Sequence, residues 1–292
     1  MIEKAKFATR YPKVGAIQLR AKIRRARGKL FDPEGVDICN ADWDTLLILD
    51  ACRYDVFKQD NIIPGELSRV RSRGSTSQEW IRGNFTDRHR GDIVIVTANP
   101  WYQTLADETD MKICDFAFVA PDDDDSARTP PERVVNCAID LMKKYPNKRF
   151  IIHFMQPHAP YLGETGRLIE FDNEQLQKTV RKNHISTELI KKAYRENFQI
   201  VQRKLKKILE FRGGKTVISA DHGELLGEPL IPTLNLFSFY GHPYGINHPV
   251  VRNVPWHIVA HDESERINVE SGKVQPVNKI DRGTQLRALG YL

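Results

Sequence analysis

The hydrophobic pattern of the chain alternates between short apolar runs and longer amphipathic stretches. The apolar runs predict buried strands at residues 45–50, 92–97, 149–155, 216–220 and 254–260. Apolar residues at helical spacing predict helices at 130–144 and 187–211. Buried strands that alternate with helices are typical of a parallel sheet covered on both faces. The sequence therefore predicts an α/β protein, a three-layer α/β/α sandwich with a mostly parallel central sheet.

The two ends of the chain differ from this central part. Residues 1–35 are basic, and residues 17–30 carry apolar side chains at helical spacing among cations. This segment is predicted to pack on the domain or to contact an anionic membrane surface peripherally. We therefore expect a basic helical segment at 1–35, the α/β domain at 36–262 and a C-terminal tail packed on it at 263–292. Within the domain, residues 225–248 are rich in proline, glycine and aromatic residues and predict a long loop.

The composition limits the kind of protein. With 292 residues, of which 40% are hydrophobic, the chain can bury the core of one large or two small domains. No apolar run reaches the roughly 20 residues of a membrane span. The N-terminus also lacks the apolar core of a signal peptide, so we expect a cytoplasmic protein with at most peripheral membrane contact. The net charge of +6 allows anionic partners, but the cations follow no recognised motif, so no nucleic-acid partner is expected.

Acidic and imidazole side chains follow three of the predicted strands. Asp50 ends the first strand, His158 follows the third, and Asp221 and His222 follow the fourth. The carboxyl ends of strands are where ligand sites form in open α/β sheets, and carboxylates with an imidazole suit a metal ion. A structural explanation remains for each residue, since Arg53 or a helix N-terminus could neutralise Asp50. Three such strand ends nevertheless favour one shared site.

Residues 72–85 combine a turn with neighbouring hydroxyl groups. Gly74 permits the turn, and Ser75, Thr76 and Ser77 precede a predicted helix. A hydroxyl with a helix N-terminus behind it is suited to an anion. The alternative is an ordinary N-cap, at which serine and threonine are common. The local sequence favours the N-cap when it is considered alone.

Taken in order, these elements resemble those of the alkaline phosphatase and sulfatase superfamily. The resemblance covers the chain from about residue 45 to the end. Seven elements of the superfamily have counterparts in this sequence. They are the metal-aspartate strand (46–50), the nucleophile loop (72–80), the PH-P-Y element (156–161), the S/T-D-H-G-E element (218–224), the late histidine (241–243), the R-x-V-P element (252–255) and the L-x-x-L-G-Y ending (286–292). The D-H-G-E and PH-P-Y elements are fairly specific. The nucleophile loop is a weak match.

This resemblance implies an alkaline phosphatase-like fold and a divalent metal ion held by Asp50, Asp221 and His222. Zinc or manganese is expected, with magnesium or calcium as alternatives. A nucleophilic hydroxyl would be a further ligand of the ion. Thr76 is the first choice for this hydroxyl, because T-x-P is a common pattern in the superfamily. Ser77 is a close second choice, and Ser75 at the same loop is a third.

The resemblance also implies roles for residues around the transferred group. His158 and His242 would hold a second metal ion, stabilise the equatorial oxygens or protonate the leaving group. Arg53 and Arg252 are candidates for charge stabilisation. The Asp-x-x-x-His element of two-zinc members is missing, so one well-formed metal site is expected and a second is left open. None of the four cysteines lies in the nucleophile loop, which disfavours a sulfatase with a converted cysteine.

Three functions stay open at this point. A metal-dependent hydrolase of phosphate esters, or less favourably of sulfate esters, through a covalent threonine or serine intermediate is preferred. The first alternative is a transferase that moves a phospho head group to a glycan or a lipid. The second alternative is a non-catalytic binding protein that retains the fold. Either enzyme would act on a small-molecule ester or on a glycan or lipid ester.

Overall fold

The computed structural model describes residues 31–121, 129–171, 176–231, 234–259 and 266–279. The predicted basic helix at 17–30 and the family-like ending at 286–292 lie outside these ranges. The strands are β1 (Thr45–Leu49), β2 (Gly65–Arg71), β3 (His89–Thr97), β4 (Lys112–Phe118), β5 (Arg149–Phe154), β6 (Thr216–Ser219), β7 (Leu225–Ile231), β8 (Leu234–Gly241), β9 (Asn253–Val259) and β10 (Gln275–Pro276). The helices are α1 (Tyr54–Asp60), α2 (Ser77–Phe85), α3 (Trp101–Thr104), α4 (Ala106–Thr109), α5 (Pro131–Lys144), α6 (Glu164–Arg167), α7 (Leu176–Lys182), α8 (Thr187–Phe211) and α9 (Pro249–Arg252).

Eight strands form one sheet, in the order β10-β4-β3-β5-β1-β6-β9-β2. The five strands from β4 to β6 are parallel, and β9, β2 and β10 are antiparallel to their neighbours. In the middle of the sheet, Leu47 of β1 pairs with Ile152 of β5 and with Ile218 of β6. The predicted mixed α/β architecture with a mostly parallel sheet is therefore confirmed.

Helices cover both faces of the sheet because the central strands are apolar on both faces. All five residues of β1 are buried. Leu47 and Leu49 point into a core shared with α1, α5 and α8, whereas Leu46 and Ile48 point into the opposite core, shared with α2, α3 and α4. Because β1 is packed on both faces, it holds the residue that follows its carboxyl end in a fixed position. Among the described residues, no helix combines the length and apolarity needed to span a bilayer.

The predicted long loop at 225–248 is instead largely a hairpin. Strands β7 and β8 pair antiparallel, and Leu225 lies opposite Gly241. The register shifts beside Pro229, since proline has no N–H to donate to the ladder. The hairpin rests on α7 and α8, where Tyr240 bonds to Gln177 and Thr187. Prolines and glycines suggested a loop, but the apolar residues between them form strands.

Candidate active site

The carboxyl ends of β1 and β6 bring two carboxylates and an imidazole together. Asp50 follows β1, Asp221 and His222 follow β6, and one ligand atom of each lies within 4.8 Å of the other two. These ends meet because β1 and β6 are adjacent parallel strands. All three side chains are buried. The structure therefore gathers three of the four predicted metal ligands, all but Thr76, and we call this group of Asp50, Asp221 and His222 the acidic cluster.

Ser77 extends into the acidic cluster from the start of α2. Its Oγ lies 2.7 Å from Asp221 Oδ2, 3.3 Å from Asp50 Oδ2 and 3.5 Å from His222 Nε2. Ser77 is the first residue of α2, so the N-terminal amides of that helix lie next to the same point. A hydroxyl held in this way is oriented towards the space between the two carboxylates, where a ligand could bind.

Thr76, the first choice for the nucleophile from the sequence, has a different position. It is the N-cap of α2, with an extended backbone, and its Oγ1 accepts the N–H of Glu79 at 3.3 Å. An N-cap side chain folds back over the first helical turn to satisfy a free amide. The hydroxyl of Ser75 bonds to the Glu79 carboxylate and to the Pro243 carbonyl. Among these three hydroxyls, the one that the structure places in the acidic cluster is that of Ser77.

A second group, the histidine cluster, consists of His158, Glu224 and His242. One ligand atom of each lies within 4.8 Å of the other two. The Nε2 atoms of His158 and His242 are 3.0 Å apart, and the His242 ring lies 4.2 Å from that of His222, between centroids. The His158 side chain is 25% exposed, whereas the three side chains of the acidic cluster are buried. Glu224 supplies the third member that sequence reasoning lacked, although it belongs to the D-H-G-E element.

Two further neighbours of Asp50 were missed in the sequence. Asn99, after β3, donates its amide N–H to Asp50 Oδ2 at 2.7 Å and to Ser77 Oγ at 3.0 Å. His153, in β5, has its Nε2 3.6 Å from Asp50 Oδ2, and its Nδ1 bonds to the hydroxyl of Tyr102 at 3.1 Å. His153 lies towards the carboxyl end of β5, which is next to β1, and Asn99 follows β3, one strand further out. This position at the carboxyl ends of the strands was the only available signal.

The two arginines predicted to stabilise transferred charge are instead held in ion pairs. Arg53 forms a two-bond pair with Asp55 and a 2.7 Å contact with Glu228. Arg252 is buried and lies 3.0 Å from Asp32. A buried guanidinium needs such partners to offset the loss of water. These contacts indicate a structural role, in which both arginines link segments of the chain that surround the site.

The charges of the two clusters differ. Burial opposes ionisation of Asp50, but His153 and other nearby imidazoles outweigh it and lower the pKa of that carboxyl. Burial raises the pKa of Glu224 and lowers the pKa of His242. Burial also works against the charged form of His158, but nearby carboxylates, Glu224 foremost, raise its pKa overall. The Asp50 carboxylate is therefore negatively charged at neutral pH and attracts a cation.

The donor atoms fit a divalent metal ion. Two carboxylates and an imidazole suit zinc or manganese, whereas calcium prefers oxygen ligands alone. In the part of the chain that the structure describes, His153 Nε2, both carboxylate oxygens of Glu224 and His242 Nδ1 are buried without a hydrogen-bond partner. Such atoms are costly in a protein interior unless a ligand, ion or water satisfies them.

The loop that carries Ser77 is tied to the segment that carries His242. The carboxylate oxygen Oε2 of buried Glu79 accepts the N–H of Ser75 at 2.9 Å and the N–H of Gly245 at 3.1 Å. This oxygen also receives the Ser75 hydroxyl. The loop at 75–77 and the 242–245 segment are thus held by one side chain.

The fold is that of the alkaline phosphatase and sulfatase type. The C-terminal periplasmic domain of EptC from Escherichia coli, solved in complex with Zn, matches with a TM-score of 0.50 at 13% identity, covering 78% of this chain and 76% of that chain. The same domain of phosphoethanolamine transferase EptC from Campylobacter jejuni matches with a TM-score of 0.48 at 14% identity, covering 75% and 79%. The soluble domain of lipooligosaccharide phosphoethanolamine transferase A from Neisseria meningitidis has a TM-score of 0.45 at 14% identity, covering 73% and 75%.

No protein-family model matches the chain, and no curated protein matches it in sequence. The structural matches confirm, at the level of fold, the predicted resemblance to the superfamily. They also correct the expectation of a cytoplasmic protein, because the matched EptC domain of E. coli is a periplasmic domain. That expectation depended on the composition of the first residues of the sequence, which does not outweigh this finding.

Proposed function

We propose that the chain is a metal-dependent transferase of a phospho head group, with Ser77 as the covalent carrier. The observation that supports this most strongly is the Ser77 hydroxyl, 2.7 Å from Asp221 and 3.3 Å from Asp50 at the start of α2. Transfer is preferred to the hydrolysis expected from the sequence for a separate reason. The E. coli EptC domain has this fold, and an enzyme of that name is a phosphoethanolamine transferase.

Asp50, Asp221 and His222 would hold the divalent ion, with Ser77 as a fourth ligand. We expect zinc, which is present in the E. coli domain. When bound, the ion would supply positive charge that lowers the pKa of the hydroxyl and offsets charge on the phosphoryl oxygens. Asn99 would fix the positions of the Asp50 and Ser77 side chains relative to each other through its two amide hydrogen bonds.

The transfer would take two displacement steps. In the first, Ser77 Oγ, which has lost its proton to solvent, attacks the phosphorus of the donor, the bond between phosphorus and the donor alcohol oxygen breaks, and His158 gives that oxygen a proton. In the second, an acceptor hydroxyl loses its proton to His158 and attacks the phosphorus, the bond between phosphorus and Ser77 Oγ breaks, and Ser77 leaves as the alkoxide with which the cycle began. The N-terminus of α2 favours the negative charge of the phosphoryl group. His158 suits the acid and base roles because it lies at the exposed side of the site.

The test is a product analysis with purified protein, zinc and a fluorescent short-chain phosphatidylethanolamine. We expect release of diacylglycerol and a phosphoethanolamine adduct on Ser77, detected by peptide mass spectrometry. Addition of a glycan or lipid acceptor should then discharge the adduct faster than buffer does. Rapid discharge to water alone would indicate a hydrolase. Metal binding without adduct or product would indicate a non-catalytic binding protein.

A further inference from the structure

Tyr194 reaches the site from α8, the long helix on one face of the sheet. Its side chain is fully buried, and its hydroxyl donates to the Ala51 carbonyl at 2.8 Å and accepts the Arg53 N–H at 2.9 Å. The hydroxyl therefore bridges two backbone groups of the turn that directly follows Asp50. This contact joins residues more than 140 positions apart in the sequence.

The turn at Ala51 has an uncommon backbone conformation. Ala51 has φ +59°, in the left-handed region where an alanine Cβ is disfavoured and glycine is usual. In this conformation the Ala51 N–H points at Asp221 Oδ1, 3.0 Å away. The N–H of His222 donates to the same oxygen at 2.9 Å. Two amides therefore fix Oδ1 of Asp221, and its other oxygen, Oδ2, faces the Ser77 hydroxyl.

We propose that Tyr194 is a positioning residue for the acidic cluster. Its hydroxyl holds Ala51 in the left-handed turn, the Ala51 amide orients Asp221, and Asp221 orients Ser77. Loss of the hydroxyl would let the turn relax towards a conformation that alanine prefers, and the carboxylate would lose one of its two amide donors. This inference rests on the proposed function, because it assigns Tyr194 to the metal and nucleophile centre of that reaction.

The test compares Tyr194→Phe with the parent protein. Phenylalanine keeps the ring in the core and removes both hydrogen bonds. We expect zinc affinity, measured by competition with a chromogenic chelator, to fall about 10-fold or more, as it does when groups that orient metal ligands are lost. We also expect kcat to fall with KM little changed. Tyr145→Phe is the matched control, because its hydroxyl bonds to Asp115 at the β4 side of the sheet, and neither value should change.

A second variant separates positioning from general destabilisation. Glycine accepts the left-handed turn without strain, so adding Ala51→Gly to Tyr194→Phe should restore at least half of the lost zinc affinity on a logarithmic scale. A merely destabilising Tyr194→Phe would regain stability from the relief of strain at Ala51 but no zinc affinity, and circular dichroism would show whether each variant is folded.

The outcomes distinguish this inference from the proposed function. A parent protein that neither binds zinc nor transfers the head group would overturn the proposed function. A parent that does both, with Tyr194→Phe equal to it in affinity and kcat, would overturn only the role of Tyr194. Lost affinity without rescue by Ala51→Gly would also overturn that role.

Discussion

Glu79 and Gly245 are joined by a 3.1 Å hydrogen bond across 166 residues of sequence. The same carboxylate oxygen holds the backbone N–H and the hydroxyl of Ser75. The loop that presents Ser77 and the segment that presents His242 therefore share one buried acceptor. Neither segment can shift alone without leaving a donor unsatisfied.

Substitution of Glu79 tests this connection. Glu79→Ala removes the acceptor of three hydrogen bonds, and buried donors left without a partner cost about 1–3 kcal/mol. We therefore expect a lower free energy of unfolding in urea, together with a reduced kcat. Glu79→Gln retains a carbonyl acceptor and should lie between Glu79→Ala and the parent. Equal stability of the parent and Glu79→Ala would show that the connection carries no energy.

The choice between Ser77 and Thr76 is tested by separate substitutions. Ser77→Ala should lower kcat by at least about 10³-fold, as expected for loss of a nucleophile. Thr76→Ser keeps the N-cap acceptor and should stay close to the parent. Thr76→Ala should lower stability by about 1 kcal/mol through loss of the cap. A large loss of turnover in Thr76→Ser with none in Ser77→Ala would reverse the assignment.

Removal of the metal ion should lower the melting temperature. Zinc at 100 times its Kd would stabilise the folded state by about 2.7 kcal/mol, and a chelator should reverse this. Asp221→Asn should bind little zinc, as measured by mass spectrometry of bound metal, and should show no zinc-dependent shift. Without zinc it should be no less stable than the parent, because one of two neighbouring buried carboxylates becomes neutral. Replacement of the half-exposed His89 by alanine is the control.

Acid should weaken the fold through Asp32. Burial alone would raise the pKa of Asp32, but the hydrogen bond from Arg71 and the charges of Arg71 and Arg252 lower it overall. The unfolded chain takes up this proton near pH 3.9, so the stabilisation is present above about pH 4 and is lost as pH falls towards the lower folded pKa. Urea unfolding of the parent and of Asp32→Asn should show a constant difference above about pH 5 that shrinks towards pH 3. A difference independent of pH would contradict this.

The central fold could be predicted from the sequence because its strands are apolar on both faces. β1, β5 and β6 are short, mostly apolar runs that are buried throughout, and such runs have few other structures open to them. Edge strand β2 escaped prediction because its residues, Gly65–Arg71, are mostly polar and exposed. Its place is set by pairing with β9, which local sequence does not encode.

The acidic residues of the site could be predicted for the same reason. Asp50 and Asp221 each follow a parallel strand, and adjacent strands end at one edge of the sheet. The hydroxyl that lies in the acidic cluster could not be chosen in this way, because Thr76 and Ser77 differ by one position at a helix start. The position of the cap decides which hydroxyl folds back over the helix. Asn99 and Glu224 were missed because their partners are distant in sequence.

The hairpin of β7 and β8 leaves the site and returns to it at almost the same point. Glu224 precedes its first strand, His242 follows its second, and Leu225 pairs with Gly241 where the two strands meet. Changes in length or sequence at the far end of the hairpin can therefore leave Glu224 and His242, the two residues of the histidine cluster that flank it, in place.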